Sequence, residues 1–135
     1  MKFKAITLAV TMMLTQTSFA ASNQPTCPEL STLKSVGLEA ARMTRLRWIG
    51  HTTQAFGTES NWTFFTFIVG QFDTAQEALV KGNADLVKLS NVEGPMNSGR
   101  SPNQWICTYS GTGADAFTIT PAVTSNGLLS MMSNK

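Results

Sequence analysis

Histidine is almost absent from this chain, whose 135 residues include a single one, His51. Nucleophilic and general-base catalysis most often place a histidine beside the reacting group. No serine lies in a Gly-x-Ser-x-Gly motif, and the eight acidic residues are scattered rather than paired as glycoside hydrolysis would need. Phosphate-binding loops, dinucleotide-binding motifs and calcium loops do not occur. The sequence therefore predicts no catalytic residue and a protein that is not an enzyme.

Cysteine is also scarce, with only Cys27 and Cys107. Two thiolates do not make a zinc site, and the two cysteines are too far apart for a Cys-x-x-Cys redox pair, so no metal site is predicted. In an oxidising compartment the two are expected to form a disulfide. Such a bond would close a loop of roughly 80 residues and stabilise the fold by about 4 kcal/mol in the chain-entropy model.

Long apolar runs are lacking after the first 20 residues. Lys2 and Lys4 precede an apolar stretch of about ten residues, which is too short to cross a bilayer of roughly 30 Å. Small residues in Ser18-Phe19-Ala20 suit cleavage before Ala21. We interpret residues 1–20 as a signal peptide, with a buried N-terminal helix as the alternative, and expect a periplasmic or extracellular protein without a membrane span.

Neither sign of charge is in excess once the signal peptide is removed. The whole chain has ten Lys and Arg against eight Asp and Glu, but Lys2 and Lys4 belong to the signal. The remaining cations therefore equal the acids in number. This balance gives no support for a general attraction to nucleic acid or to acidic membranes, and no nucleic-acid partner is predicted.

The most β-prone segment, from Trp62 to Val69, is aromatic and β-branched and predicts a strand. Trp62, Phe64 and Ile68 would lie on one face, and Phe65, Phe67 and Val69 on the other. Because both faces are apolar, the strand is expected to be central and covered on both sides, unless its second face is a ligand or partner surface.

Two helices are predicted around this strand. Residues 74–89 have an apolar period of about 3.6, with Thr74 and Glu77 forming a capping box at the start. A shorter helix is predicted from Pro28 to Val36, ending at Gly37.

The other segments complete an α+β fold. Alternation and turn residues predict three further strands, at 44–52, 104–110 and 116–120. Residues 38–43 are ambiguous between helix and strand, and 91–103 are rich in turn residues. The predicted order α-β-β-α-β-β gives a four-stranded antiparallel sheet with the long helix on one face and the short N-terminal helix stapled by the disulfide. Residues 21–125 would form this single domain, and residues 126–135 a tail that could be flexible.

Two groups of side chains are candidates for binding. In a strand at 44–52, Leu46 would face the core, whereas Arg45, Arg47 and His51 would share the opposite face and could hold an anionic ligand. A solvated strand face is the alternative. Phe65 and Phe67 could form a bed for an apolar ligand, with core packing as the alternative.

Several short segments spread over nearly all of residues 21–135 resemble those of a known family. They are Cys27-Pro28, Val36-Gly37-Leu38, Asn61-Trp62-Thr63-Phe64, Glu77-Ala78-Leu79, Gly94-Pro95, Trp105-Ile106-Cys107-Thr108-Tyr109 and Ile119-Thr120-Pro121. The family consists of small exported proteins of Gram-negative intracellular bacteria, mostly of unknown function, some of which are labelled haemin-binding protein. The resemblance implies export and shared architecture, and it makes haem the candidate cofactor or ligand. An axial iron ligand would then be His51 or Tyr109, because Cys107 is expected to be in the disulfide.

The sequence thus predicts a small secreted binding or interaction protein, whose partner is an unknown small ligand or protein. Haemin is the specific candidate ligand. The alternative is a small secreted enzyme with an unrecognised active site.

Overall fold

The structure is a computed structural model that describes residues 24–133. Within that range the chain forms three α-helices, a single 3-10 turn and six β-strands. The helices are α1 (Leu30–Val36), α2 (Ala75–Asp85) and α3 (Ser125–Ser133), and the 3-10 turn is Leu86–Lys88. The strands are β1 (Ala40–Met43), β2 (Trp48–Gln54), β3 (Trp62–Ile68), β4 (Leu89–Asn97), β5 (Trp105–Gly111) and β6 (Ala114–Thr120). The predicted signal peptide, residues 1–20, lies outside the described residues.

All six strands belong to one antiparallel sheet, in the order β1-β2-β3-β6-β5-β4. The four-stranded sheet expected from the sequence is therefore wrong, and the element order is α-β-β-β-α-β-β-β-α. The chain runs twice through the order α-β-β-β, and the two halves meet where β3 pairs with β6. β3 is thus central, as its two apolar faces predicted.

The two strands that the prediction omitted, β1 and β4, are the edges of the sheet. An edge strand pairs on one side only, and of the nine residues of β4 only Leu89 is buried, so its sequence does not alternate. Gly94 and Pro95, which predicted a turn, lie inside β4 where its register shifts between Glu93 and Met96. Proline has no N–H to donate, and an irregular edge strand tolerates that loss.

The first face of the sheet carries Trp62, Phe64 and Ile68 of β3 and lies under α1 and α2. α2 comes close to β3 and to the segment before β1 because glycine leaves room: a Cβ on Gly82 would lie 2.8 Å from Ile68 and from Leu38. Thr74 is confirmed as the N-cap, since Glu77 N–H donates to Thr74 Oγ1 at 3.2 Å, whereas the Glu77 carboxylate accepts from Asp73 N–H at 3.2 Å rather than from Thr74. The helix itself ends at Asp85, four residues earlier than predicted.

The N-terminal segment is held to β5 at two points. The predicted disulfide between Cys27 and Cys107 is present, with Cα atoms 5.9 Å apart. The Tyr109 hydroxyl donates to the Pro28 carbonyl at 2.7 Å. Burial raises the pKa of Tyr109 to about 12, so this hydroxyl remains a donor at ordinary pH. The staple between the short helix and the third predicted strand is therefore confirmed.

The second face of the sheet, which carries Phe65 and Phe67, is crossed by α3. At its start, Arg42 of β1 donates from Nη1 to Ser125 Oγ at 2.7 Å. Towards its end, Arg100 donates from Nη2 to the Met131 carbonyl at 3.1 Å. Leu128 is buried on this face. Most of the segment assigned to a tail, 126–135, is therefore helical, and it covers part of the second face.

Within residues 24–133, no helix is both long enough and apolar enough to cross a membrane.

Adjacent residues Leu86 and Val87 test the packing of the 3-10 turn that follows α2, since Leu86 is 3% exposed and Val87 73% exposed. We expect Leu86→Ala to lower the free energy of unfolding by about 2–5 kcal/mol through lost burial and a residual cavity. Val87→Ala should change it by less than about 0.5 kcal/mol. Urea denaturation measures the free energy of unfolding of both variants. Equal losses would contradict the burial of Leu86 and the exposure of Val87.

Reduction of the Cys27–Cys107 disulfide should lower the free energy of unfolding by about 4 kcal/mol, because it frees the unfolded chain from a closed loop. Guanidinium denaturation with and without reductant gives the difference. The unreduced protein should contain no alkylatable thiol. Labelling of either cysteine without reduction would contradict the disulfide.

Candidate ligand-binding surface

Three phenylalanine rings form a cluster on the part of the second face beside α3. Phe65 and Phe117, which are paired across β3 and β6, are stacked with ring centroids 5.3 Å apart. Phe67 meets both rings edge-on, at 6.3 Å from each. All three are only partly buried. Together with Arg47 we call them the aromatic surface.

Arg47 extends this cluster with a positive charge. Its guanidinium carbon lies 4.6 Å from the centroid of the Phe67 ring, a cation–π distance. Arg47 is exposed, and its side chain makes no hydrogen bond or ion pair within the described residues. The ring therefore positions a guanidinium whose N–H donors are free for an external acceptor.

Arg45 does not lie in a strand, and the prediction of a strand from Thr44 is wrong. Residues 44–47 form the turn between β1 and β2, because Thr44 Oγ1 accepts from Arg47 N–H at 3.1 Å and donates to the Arg47 carbonyl at 2.8 Å. The alternation predicted through this segment therefore fails. Leu46, which it placed in the core, is 85% exposed.

His51 lies on the second face of the sheet, where it pairs with Phe65 across β2 and β3. Its Nε2 atom is buried and has no hydrogen-bond partner among the described residues. Burial lowers the pKa of His51 below 6.5, Arg42 lowers it further, and Glu39 opposes the shift. The neutral imidazole is thus favoured, but an iron atom on the aromatic surface could reach Nε2 only if the covering groups moved.

Tyr109, the other candidate axial ligand, lies on the opposite side of the sheet from His51. It is fully buried in the core of the first face, and its hydroxyl is occupied by Pro28. The two predicted iron ligands are therefore not brought together. The sequence indicated that Tyr109 is buried, because Tyr109 and Cys107 lie on the same face of β5. The disulfide from Cys107 holds the N-terminal segment against that face.

Phe117 is a site residue that the sequence reasoning missed. Alternation within β6 places it opposite Ala116 and Thr118, but only the pairing with β3 brings its ring onto Phe65. Arg47, Phe65 and Phe67 were predicted and do come together. In the part of the chain that the structure describes, no group of three His, Cys, Asp or Glu residues could hold a metal ion.

No protein-family model, curated protein or solved structure matches this chain.

The lowered pKa of His51 makes a testable contribution to stability. The folded protein binds this proton less readily than the unfolded chain, so His51 leaves stability intact above pH 6.5 and reduces it as the pH falls below that value. Replacing His51 with Gln removes the titration. We expect the free energy of unfolding to fall less from pH 7 to pH 5 in His51→Gln than in wild type. Parallel pH dependence of the two proteins would contradict this.

Proposed function

We propose that this chain is an exported, non-enzymatic binding protein that holds a flat, largely apolar, anionic ligand on its aromatic surface. The observation that carries this proposal is the joint placement of three partly exposed rings and an exposed arginine without an acidic partner among the described residues. Flat rings favour stacking partners, and a guanidinium fork favours carboxylates.

Haemin is the specific ligand that we propose, because it combines a flat macrocycle with two carboxylates and because the chain resembles a family of which some members are labelled haemin-binding protein. The rings of Phe65, Phe67 and Phe117 would contact the macrocycle. Arg47 would bind a carboxylate at its rim. Both contacts involve groups that water reaches in the free protein, so binding would not require the core to open.

The residues present fit a porphyrin held by its ring and carboxylates better than one held by its iron. Of the two candidate axial atoms, Tyr109 Oη is occupied within the first core, and His51 Nε2 is buried. An iron–histidine bond would require the chain over His51 to shift. The proposal therefore predicts that the iron adds little to affinity.

Three ligands separate these contributions: haemin, metal-free protoporphyrin IX, and its dimethyl ester, which lacks the carboxylates. Haemin and protoporphyrin IX should bind with affinities within about threefold of each other if the iron is not ligated. The ester should bind about tenfold more weakly, the loss expected for one charge-assisted contact. Titrations followed by absorbance and by quenching of tryptophan fluorescence give the three constants.

Variants test which residues form the surface. Arg47→Gln should weaken haemin and protoporphyrin IX about tenfold and leave the ester unchanged. Phe117→Ala should weaken all three ligands. The matched controls are Lys34→Gln, a cation on α1, and Phe72→Ala, a partly buried ring outside the cluster. Loss of affinity equal to that in the controls, or no saturable binding in wild type, would refute the surface.

His51→Ala decides the role of the iron. An unchanged haemin spectrum is expected on the geometry described here. Loss of a low-spin spectrum in His51→Ala would instead show that the imidazole ligates iron once the groups that bury Nε2 move aside. Haem would then lie closer to β2 than the aromatic surface does.

A further inference from the structure

The turn between β1 and β2 holds apolar side chains out in the solvent. Leu46 at its apex is 85% exposed, and Met43 at its start is 56% exposed. Val69, which follows the end of β3 at the same end of the sheet, is 76% exposed. The turn is fixed by Thr44, whose hydroxyl also accepts from Leu46 N–H at 3.3 Å. We call Met43–Arg47 the hairpin tip.

Cations flank these apolar side chains. Arg42, Arg45 and Arg47 lie within six residues, and none forms an ion pair within the described residues, where both ion pairs are made by Asp85. Asp85 lies at this end of the sheet, in one shallow depression with Phe67 and Val69, but it is paired with both Lys81 and Lys88. The hairpin itself carries no acid, so its local charge is positive although the chain after residue 20 is neutral overall.

We propose that the hairpin tip docks on an anionic membrane surface. Leu46 and Met43 would enter the boundary between headgroups and acyl chains, and Arg45 and Arg47 would meet lipid phosphates. Exposed apolar residues combined with cations are the features that hold segments at such an interface. Trp48, partly buried at the base of the hairpin, would lie at headgroup level, where tryptophan is favoured.

A lipid surface accounts for the apolar residues better than an acidic polymer would. Phosphates of a nucleic acid would engage the arginines but would leave Leu46 and Val69 in water. The two proposed surfaces share Arg47 but can be tested separately, since Arg45 and Leu46 are not part of the aromatic surface.

The test measures co-sedimentation of the protein with vesicles of phosphatidylcholine, alone or with about one third phosphatidylglycerol. Binding should require the anionic lipid and weaken with salt. Arg45→Gln should reduce affinity about fivefold, and Leu46→Asp at least tenfold, while both retain the wild-type unfolding midpoint. Met96→Asp is the control for Leu46, because Met96 is apolar and 47% exposed but lies in the opposite edge strand, towards the other end of the sheet. Lys34→Gln is the control for Arg45.

Three outcomes would overturn the proposal: equal binding to neutral vesicles, equal losses in the control variants, or binding to heparin that matches the anionic vesicles and is unaffected by Leu46→Asp. The last would reassign the hairpin to a purely electrostatic partner. Protoporphyrin affinity should be the same in Leu46→Asp as in wild type. This measurement separates failure of membrane docking from failure of the aromatic surface.

Discussion

The structure depends on one constraint, which is that its central strand is apolar on both faces and must be covered on both. β3 presents Trp62 and Phe64 to one side and Phe65 and Phe67 to the other, and each exposed ring would leave a large apolar area in water. The first side is closed by α1 and α2. The second side is closed only in part, by the short helix α3. The aromatic surface is the part of the second face that α3 leaves uncovered. It is available to a ligand for that reason, and not because of any catalytic motif.

The elements that cover the first face are held by several hydrogen bonds and a disulfide. A structural change on ligand binding is therefore easier on the second face. The Asn83 side chain of α2 accepts from Leu38 N–H at 2.7 Å and donates to the Leu38 carbonyl at 3.3 Å, so it joins the helix to the backbone just before β1. The disulfide and the Tyr109–Pro28 hydrogen bond hold the N-terminal segment. α3, by contrast, is anchored mainly by Leu128 and by exposed hydrogen bonds from Arg42 and Arg100, each of which is worth little in water.

The sequence predicted the elements whose side chains show a regular apolar pattern. It missed the elements whose strand or turn conformation depends on contacts with neighbouring segments. β3, α2 with its cap, and β5 with its disulfide have clear patterns. The edge strands β1 and β4 bury too few residues to alternate, and Thr44 closes a turn where alternation suggested a strand. Within the site, Phe65 and Phe67 could be predicted because they alternate within one strand, and Arg47 because it directly precedes the strand that pairs with them. Phe117 could not, because its position depends on β3 pairing with β6 rather than with another neighbour.

The hairpin tip and the aromatic surface meet at Arg47, which is the last residue of the tip and lies over Phe67. Although the chain after residue 20 carries no net charge, it could still contact a membrane through this end of the sheet. Electrostatic attraction acts within a Debye length of about 8 Å, and the three arginines are concentrated there. A flat amphiphile that partitions into the bilayer would then approach Phe67 along the membrane surface instead of from dilute solution. If both proposals hold, anionic vesicles loaded with protoporphyrin should transfer it faster to wild type than to Leu46→Asp, although the two proteins have equal affinity for the free ligand. Equal transfer rates would show that docking and ligand capture are unconnected.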